Sequence, residues 1–273
     1  MFFEKYIKEP LQYSLSDYSK VLKGGIIFGM GLLLSLLGII LFLQYFNIYS
    51  YLSVFPENFI LPVAVLSLIM GLILFIVLDG YLLNVLKLSI KKSSDLPEWN
   101  NYIELFKTGF LFSMGLIIIS SIGPILQNLI RSFDMNLVLF LLSMSLKILA
   151  SLYVPLSAVN YAQEGRLASF FDFPKIFKMI SREYILVFLA VRILAPSFVA
   201  IPMSLLILLM IAILYIFGFR DLSSISSEIP LLLILLIPLY IIFSINTYWV
   251  GLYSYRVFTN YFISKNSDQK NFQ

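Results

Sequence analysis

Long unbroken apolar runs, parted by short polar stretches, dominate the chain. Six runs stand out, at 24–46, 59–86, 108–130, 137–159, 184–219 and 229–253. Each reaches the ~20 residues that a helix needs to cross a ~30 Å hydrocarbon core. None alternates apolar and polar residues with the period of two that a barrel strand requires. The pattern predicts an all-α integral membrane protein. Its expected layout is six transmembrane helices arranged as three helical hairpins, with cytoplasmic amphipathic helices lying at the interface, all within a single transmembrane domain covering 1–273. The fifth run is ambiguous, because Pro196 and Pro202 fall inside it. Each proline removes a backbone donor and crowds the preceding turn, so 184–219 reads either as two spans or as one kinked span.

Charge decides in favour of one kinked span. With six spans, Lys5, Lys8, Lys20 and Lys23 of the N-terminal stretch share a side with Lys87, Lys91, Lys92 and Lys107, with Arg166, Lys175, Lys178 and Arg182, and with Arg256, Lys265 and Lys270. Only Arg131 and Arg220 fall on the other side. Short loops rich in Lys and Arg stay in the cytoplasm, so both termini are expected there, in a multi-pass protein of the cell membrane. The first outer loop supplies the interfacial aromatics Tyr49, Tyr51, Phe55 and Phe59.

The polar stretches have structure of their own. Asp95-Leu-Pro-Glu98 has the form of a helix start, with Asp95 as cap, Pro97 in the first turn and Glu98 closing a capping box. Trp99, Tyr102, Ile103, Phe106 and Phe110 follow at helical spacing. Asp172-Phe-Pro174 opens a second such piece, with Phe170, Phe173, Ile176, Phe177 and Ile180 on one face and Lys175, Lys178 and Arg182 on the other. Phe2, Phe3, Tyr6 and Ile7 make a rougher N-terminal version. Helices of this kind lie in the membrane interface. The chain therefore reads three times as an amphipathic piece, an outward span and a return span, beginning near Gly24, Thr108 and Tyr184.

Several motifs resemble a known family. They are Asp79-Gly80-Tyr81, then Asp95-Leu-Pro-Glu-Trp99 followed by Phe106-Lys-Thr-Gly109, then Ala158-Val-Asn-Tyr-Ala-Gln-Glu-Gly-Arg-Leu167, and last Tyr248-Trp-Val-Gly-Leu-Tyr-Ser-Tyr-Arg256. Together they resemble the archaeal multi-pass membrane family catalogued as domain of unknown function 4013. The resemblance implies an archaeal cell membrane and a multi-span layout, and it carries no activity with it.

Composition narrows the chemistry. Charged residues make up 12% and hydrophobic ones 60%, against about 25% charged in a soluble domain. The chain has no Cys and no His, which removes thiol chemistry, the commonest metal ligand and the commonest general base. No phosphate loop, metal-binding spacing or nucleophile elbow is present. The expectation is a protein that is not an enzyme, with no catalytic residues, no metal and no cofactor. The basic residues flank membrane ends, where anionic headgroups attract them, so the expected partners are membrane lipids and other membrane proteins, not nucleic acid.

Ionisable groups within spans are functional candidates by default. Asp79, Lys147 and Arg192 are the three. Asp79 and Arg192 lie near enough to the cytoplasmic face to snorkel. Lys147 lies deeper, and its opposite sign suggests an Asp79–Lys147 pair between the second and fourth spans. Glu164-Gly165-Arg166 reads either as a cytoplasmic contact motif or as a helix stop. Gly25-Ile-Ile-Phe-Gly29 permits close helix approach, within the chain or to a second copy. Two function classes remain open: transport or lipid handling by a three-hairpin bundle, and a non-catalytic membrane subunit or scaffold.

Overall fold

The computed structural model describes residues 2–46, 57–131, 137–216 and 229–270. Tyr49, Tyr51, Phe55 and Arg220 lie outside these residues. Among the described residues every regular element is helical. A π-helical stretch Glu4–Lys8 runs into α1 (Glu9–Ser14), followed by α2 (Tyr18–Tyr45), α3 (Glu57–Ile90), α4 (Tyr102–Arg131) and α5 (Leu137–Glu164). A 3-10 turn Leu167–Phe171 leads to α6 (Phe173–Met179), α7 (Arg182–Ile216) and α8 (Ile229–Lys270). Six of these helices are long and apolar enough to cross a membrane: α2, α3, α4, α5, α7 and α8. Apolar side chains cover most of their outer surfaces, as lipid requires.

Helix α7 is one continuous helix through Pro196 and Pro202. Pro62, Pro124, Pro155 and Pro238 are likewise accommodated inside helices. Two element boundaries differ from the sequence expectation. No helix starts at Asp95: residues 93–101 are irregular, and α4 begins at Tyr102. The cap is Asn101 instead. The Glu104 N–H donates to Asn101 Oδ1 at 3.3 Å, and the Asn101 side-chain Nδ2 donates to the Glu104 carboxylate at 2.8 Å. The reason is a buried anchor. The Tyr81 hydroxyl donates to the Pro97 carbonyl at 3.0 Å, an oxygen that a helix would need for its own ladder. Trp99 also stacks on the Tyr81 ring, with centroids 3.8 Å apart. The second difference is α8, which runs 17 residues past Tyr253 to Lys270. Ser254, Arg256, Thr259 and Asn260 end the apolar run without ending the helix, because neighbouring groups satisfy several of their polar atoms.

The chain divides into two compact units. One comprises Tyr18–Phe75 and Leu194–Gly251. Within it, glycines let helices meet at backbone distance. A Cβ on Gly24, Gly25 or Gly29 would lie 2.2, 2.6 and 2.8 Å from Tyr248, Ile245 and Ser244 of α8. The Gly25-x-x-x-Gly29 face is thus occupied by the chain's own last helix. Leu41, Ile60 and Ala64 form a buried cluster further along α2 and α3. The other unit comprises Met1–Asp17, Ile76–Ile193 and Leu252–Gln273, and it holds the candidate site residues.

Candidate functional site

In this second unit, buried tyrosines fasten non-helical or short helical segments to the long helices. Tyr81, Tyr184, Tyr253 and Tyr261 have no more than 2% of their surface exposed. A buried phenol must find an acceptor, and here the acceptor is repeatedly a backbone carbonyl. Tyr153 donates to the Phe170 carbonyl at 2.8 Å, and Asn160 to the Ser169 carbonyl at 2.8 Å. Tyr253 donates to the Tyr6 carbonyl at 3.2 Å, and Asn260 to the Lys5 carbonyl at 3.2 Å. The two pairs are equivalent. A Tyr and the Asn seven residues on, one face of a helix, grip successive carbonyls in the same reversed order. Helix α8 therefore holds the N-terminal segment as α5 holds the segment before α6. Tyr81 gripping Pro97 is a third, simpler instance.

Further contacts lock these segments. Tyr261 donates to the Met179 carbonyl at 2.6 Å, and Tyr184 to the Leu152 carbonyl at 2.6 Å. Tyr6 donates to the Glu183 carboxylate at 2.8 Å. Burial pushes the Tyr6 and Tyr13 phenols above their ordinary range, so both stay neutral hydroxyls. Asp172 caps α6 by accepting the Lys175 N–H at 3.3 Å, as the sequence pattern predicts. The expected apolar face of α6 is split. Phe170 and Ile176 are buried and Ile180 is half-buried, while Phe173 and Phe177 are exposed beside Tyr153.

The three intramembrane charges do not converge. Asp79 accepts a 2.5 Å hydrogen bond from Ser113 of α4. Gly80 and Gly109 make that approach possible, since a Cβ on either would lie 1.9 Å from a carbonyl oxygen, of Leu105 and of Ile76 respectively. Lys147 is exposed on α5, and among the described residues it forms no ion pair with Asp79. The expected Asp79–Lys147 pair is therefore replaced by Asp79–Ser113. Ser113 already engages Asp79, and Lys147 lies more than a third of a turn from the buried Leu152 and Leu156. Arg192 is also exposed, and its guanidinium lies 5.0 Å from the Phe188 ring, one turn toward the start of α7.

Glu164, Gly165 and Arg166 form a helix stop. Gly165 has φ +71° and its N–H donates to the Tyr161 carbonyl at 2.8 Å, ending α5. Glu164 pairs with Arg166 at 2.9 Å and with Lys175 of α6 at 2.6 Å. No cluster of three or more potential metal ligands occurs among the described residues.

Sequence reasoning missed the gripping residues, although a signal was available. Tyr-x6-Asn-Tyr occurs at 153–161 and again at 253–261. Asn160→Leu would strand the buried Ser169 carbonyl, an expected cost of about 1–3 kcal/mol. Faster proteolysis at residues 166–172, with the fold retained, is the outcome to look for.

The family model for a protein of unknown function (DUF4013) matches residues 63–215. Over 208 residues the chain is 34% identical to Uncharacterized protein MJ1189 of Methanocaldococcus jannaschii, covering 70% of this chain and 73% of that protein. The chain belongs to the DUF4013 family. A second relative from the same archaeon, Uncharacterized protein MJ0233, is 25% identical over 209 residues, with the same shares covered. No solved structure matches. Within the DUF4013 match fall Asp79, Lys147, Arg192 and the Tyr153–Asn160 grip, while the Tyr253–Asn260 grip lies beyond it.

Proposed function

We propose that this DUF4013 protein is a non-catalytic subunit of a membrane assembly, with three helical hairpins and both termini in the cytoplasm. In this reading each hairpin is preceded by an amphipathic segment at the inner leaflet, and a tyrosine of a return span holds each segment. The observation that carries the reading is Lys147. It is exposed ten residues into α5, about 15 Å from the start of the helix. A cation at that depth on a surface facing lipid is costly, and a neighbouring protein removes the cost. The buried polar groups of the same unit support a static role, since the hydroxyls of Tyr81, Tyr153, Tyr184, Tyr253 and Tyr261 bind backbone carbonyls.

One observation favours the alternative of lipid handling. An apolar cavity of about 490 Å³ lies within the other unit, between α2 and α8, lined by Gly25, Gly29, Met30, Leu33, Ile237 and Tyr240. A hydrocarbon chain fits such a lining. Native mass spectrometry of the protein released from its own membranes separates the two. A complex with another protein at fixed stoichiometry supports the subunit reading. The chain alone, retaining a defined lipid, supports lipid handling.

A further inference from the structure

We infer that the Lys147 face of α5 docks a transmembrane helix of a different protein, one that carries an Asp or Glu at the depth of Lys147. This rests on the subunit reading and names the chemistry of the partner.

Six residues share that face with Lys147 at helical spacing: Phe140, Ser143, Met144, Ala150, Ser151 and Val154. Phe140 and Met144 are 44% and 47% exposed. Apart from two serines, one of which spends its hydroxyl on the Phe140 carbonyl, the face is apolar around a single cation, the complement of an apolar helix with a single carboxylate. Other occupants fit worse. Ser132, Asp134 and Asn136 precede α5, so the membrane boundary lies near its start, and Lys147 sits about 15 Å deep, half of a ~30 Å core. The four-carbon stem spans less than half of that distance, so a lipid phosphate is out of reach. A second copy is disfavoured too, because a two-fold contact through this face would set one Lys147 against the other. Two carboxylates of the chain itself are already engaged. Asp79 is bound to Ser113, and Glu164 to Arg166 and Lys175.

The test is site-specific photocrosslinking in native membranes. A benzophenone side chain replaces Met144 or Ile148, both exposed beside Lys147, and the linked peptide is sequenced. The expected adduct lies in an apolar span of another protein, within one turn of an Asp or Glu. Its yield falls at least tenfold in Lys147→Gln and persists in Lys147→Arg. It returns when Lys147→Glu is combined with a lysine at the partner's carboxylate. The melting temperature of Lys147→Gln in detergent is expected to equal the parent's, which separates docking from folding. An adduct to a second copy, a linked span without a carboxylate, or a yield indifferent to Lys147→Gln overturns the inference. If the protein nonetheless remains in a fixed complex, the subunit reading stands without it. Adducts to lipid alone, from a chain that flies alone, overturn both.

Discussion

Gly80→Ala and Gly109→Ala are each expected to destabilise the protein by about 3 kcal/mol, the upper end of overpacking costs. Both glycines sit inside helices, where alanine is intrinsically the better residue by about 1 kcal/mol, so the expected sign opposes propensity. Steric contact decides it. The Cβ of either alanine would lie 1.9 Å from a carbonyl oxygen, and a backbone oxygen cannot swing aside as a side-chain end can. Helices α3 and α4 would have to separate, and with them Asp79 and Ser113. The Cβ on Gly109 would also approach Gly80, at 2.6 Å from its nitrogen, so the two changes share one clash. The double variant should lose less than the two single losses combined. Gly251→Ala is the control. Nothing lies within 4 Å of its Cβ, and it should be neutral or stabilising by up to about 1 kcal/mol. Thermal melts of purified protein in one detergent check the set. Equal stability of Gly80→Ala and Gly251→Ala would refute the α3–α4 contact.

The same helices show what a sequence discloses in a membrane protein. Lipid leaves so few choices for an apolar run that the six spans, and the continuity of α7 past its prolines, follow from hydropathy and the Lys/Arg count. Ends are harder to read. Asp95 has the chemistry of a cap, yet Tyr81 claims the Pro97 carbonyl and moves the helix start to Asn101. The stretch of α8 past Tyr253 looks like a tail because Arg256, Thr259 and Asn260 are polar, yet Arg256 and Thr259 are buried and Asn260 is bonded to the Lys5 carbonyl. Both cases involve partners distant in sequence, which local pattern does not contain. The proposed Asp79–Lys147 pair failed for a related reason. Opposite charges in two spans attract notice, but Ser113 of a third helix engages Asp79 and Lys147 is exposed, and no periodicity in 137–159 marks which face is packed. The Tyr-x6-Asn-Tyr recurrence was legible. It lies at the ends of the apolar runs 137–159 and 229–253, where hydropathy carries no further signal.

The pair formed by Glu9 and Arg256 should respond asymmetrically to removal of either partner. The Arg256 side chain is 6% exposed and that of Glu9 is 39% exposed. The guanidinium donates to Glu9 through Nε at 2.8 Å and through a second nitrogen, and it lies 4.2 Å from the centre of the Tyr13 ring. Glu9→Gln leaves a buried cation without its counter-charge. Breaking such a pair from one side costs roughly 3–5 kcal/mol when both groups are buried. Water around the half-exposed Glu9 screens part of it, so about 3 kcal/mol is expected. Arg256→Gln leaves a carboxylate that keeps its bond from Asn260 and turns toward water, so its loss should be smaller. Glu9→Leu with Arg256→Leu strands no charge and should fall below either single loss. The consequence reaches beyond stability. Residues 2–14 are held to α8 by this pair together with Tyr253 and Asn260, so Glu9→Gln should free the N-terminal segment before the membrane helices melt. Limited proteolysis in intact vesicles reads that release directly. Cleavage near Lys5 and Lys8 in Glu9→Gln, with the remaining helices protected, is the expected result. Equal protection in all three variants would show that the tyrosine and asparagine grips alone hold the segment.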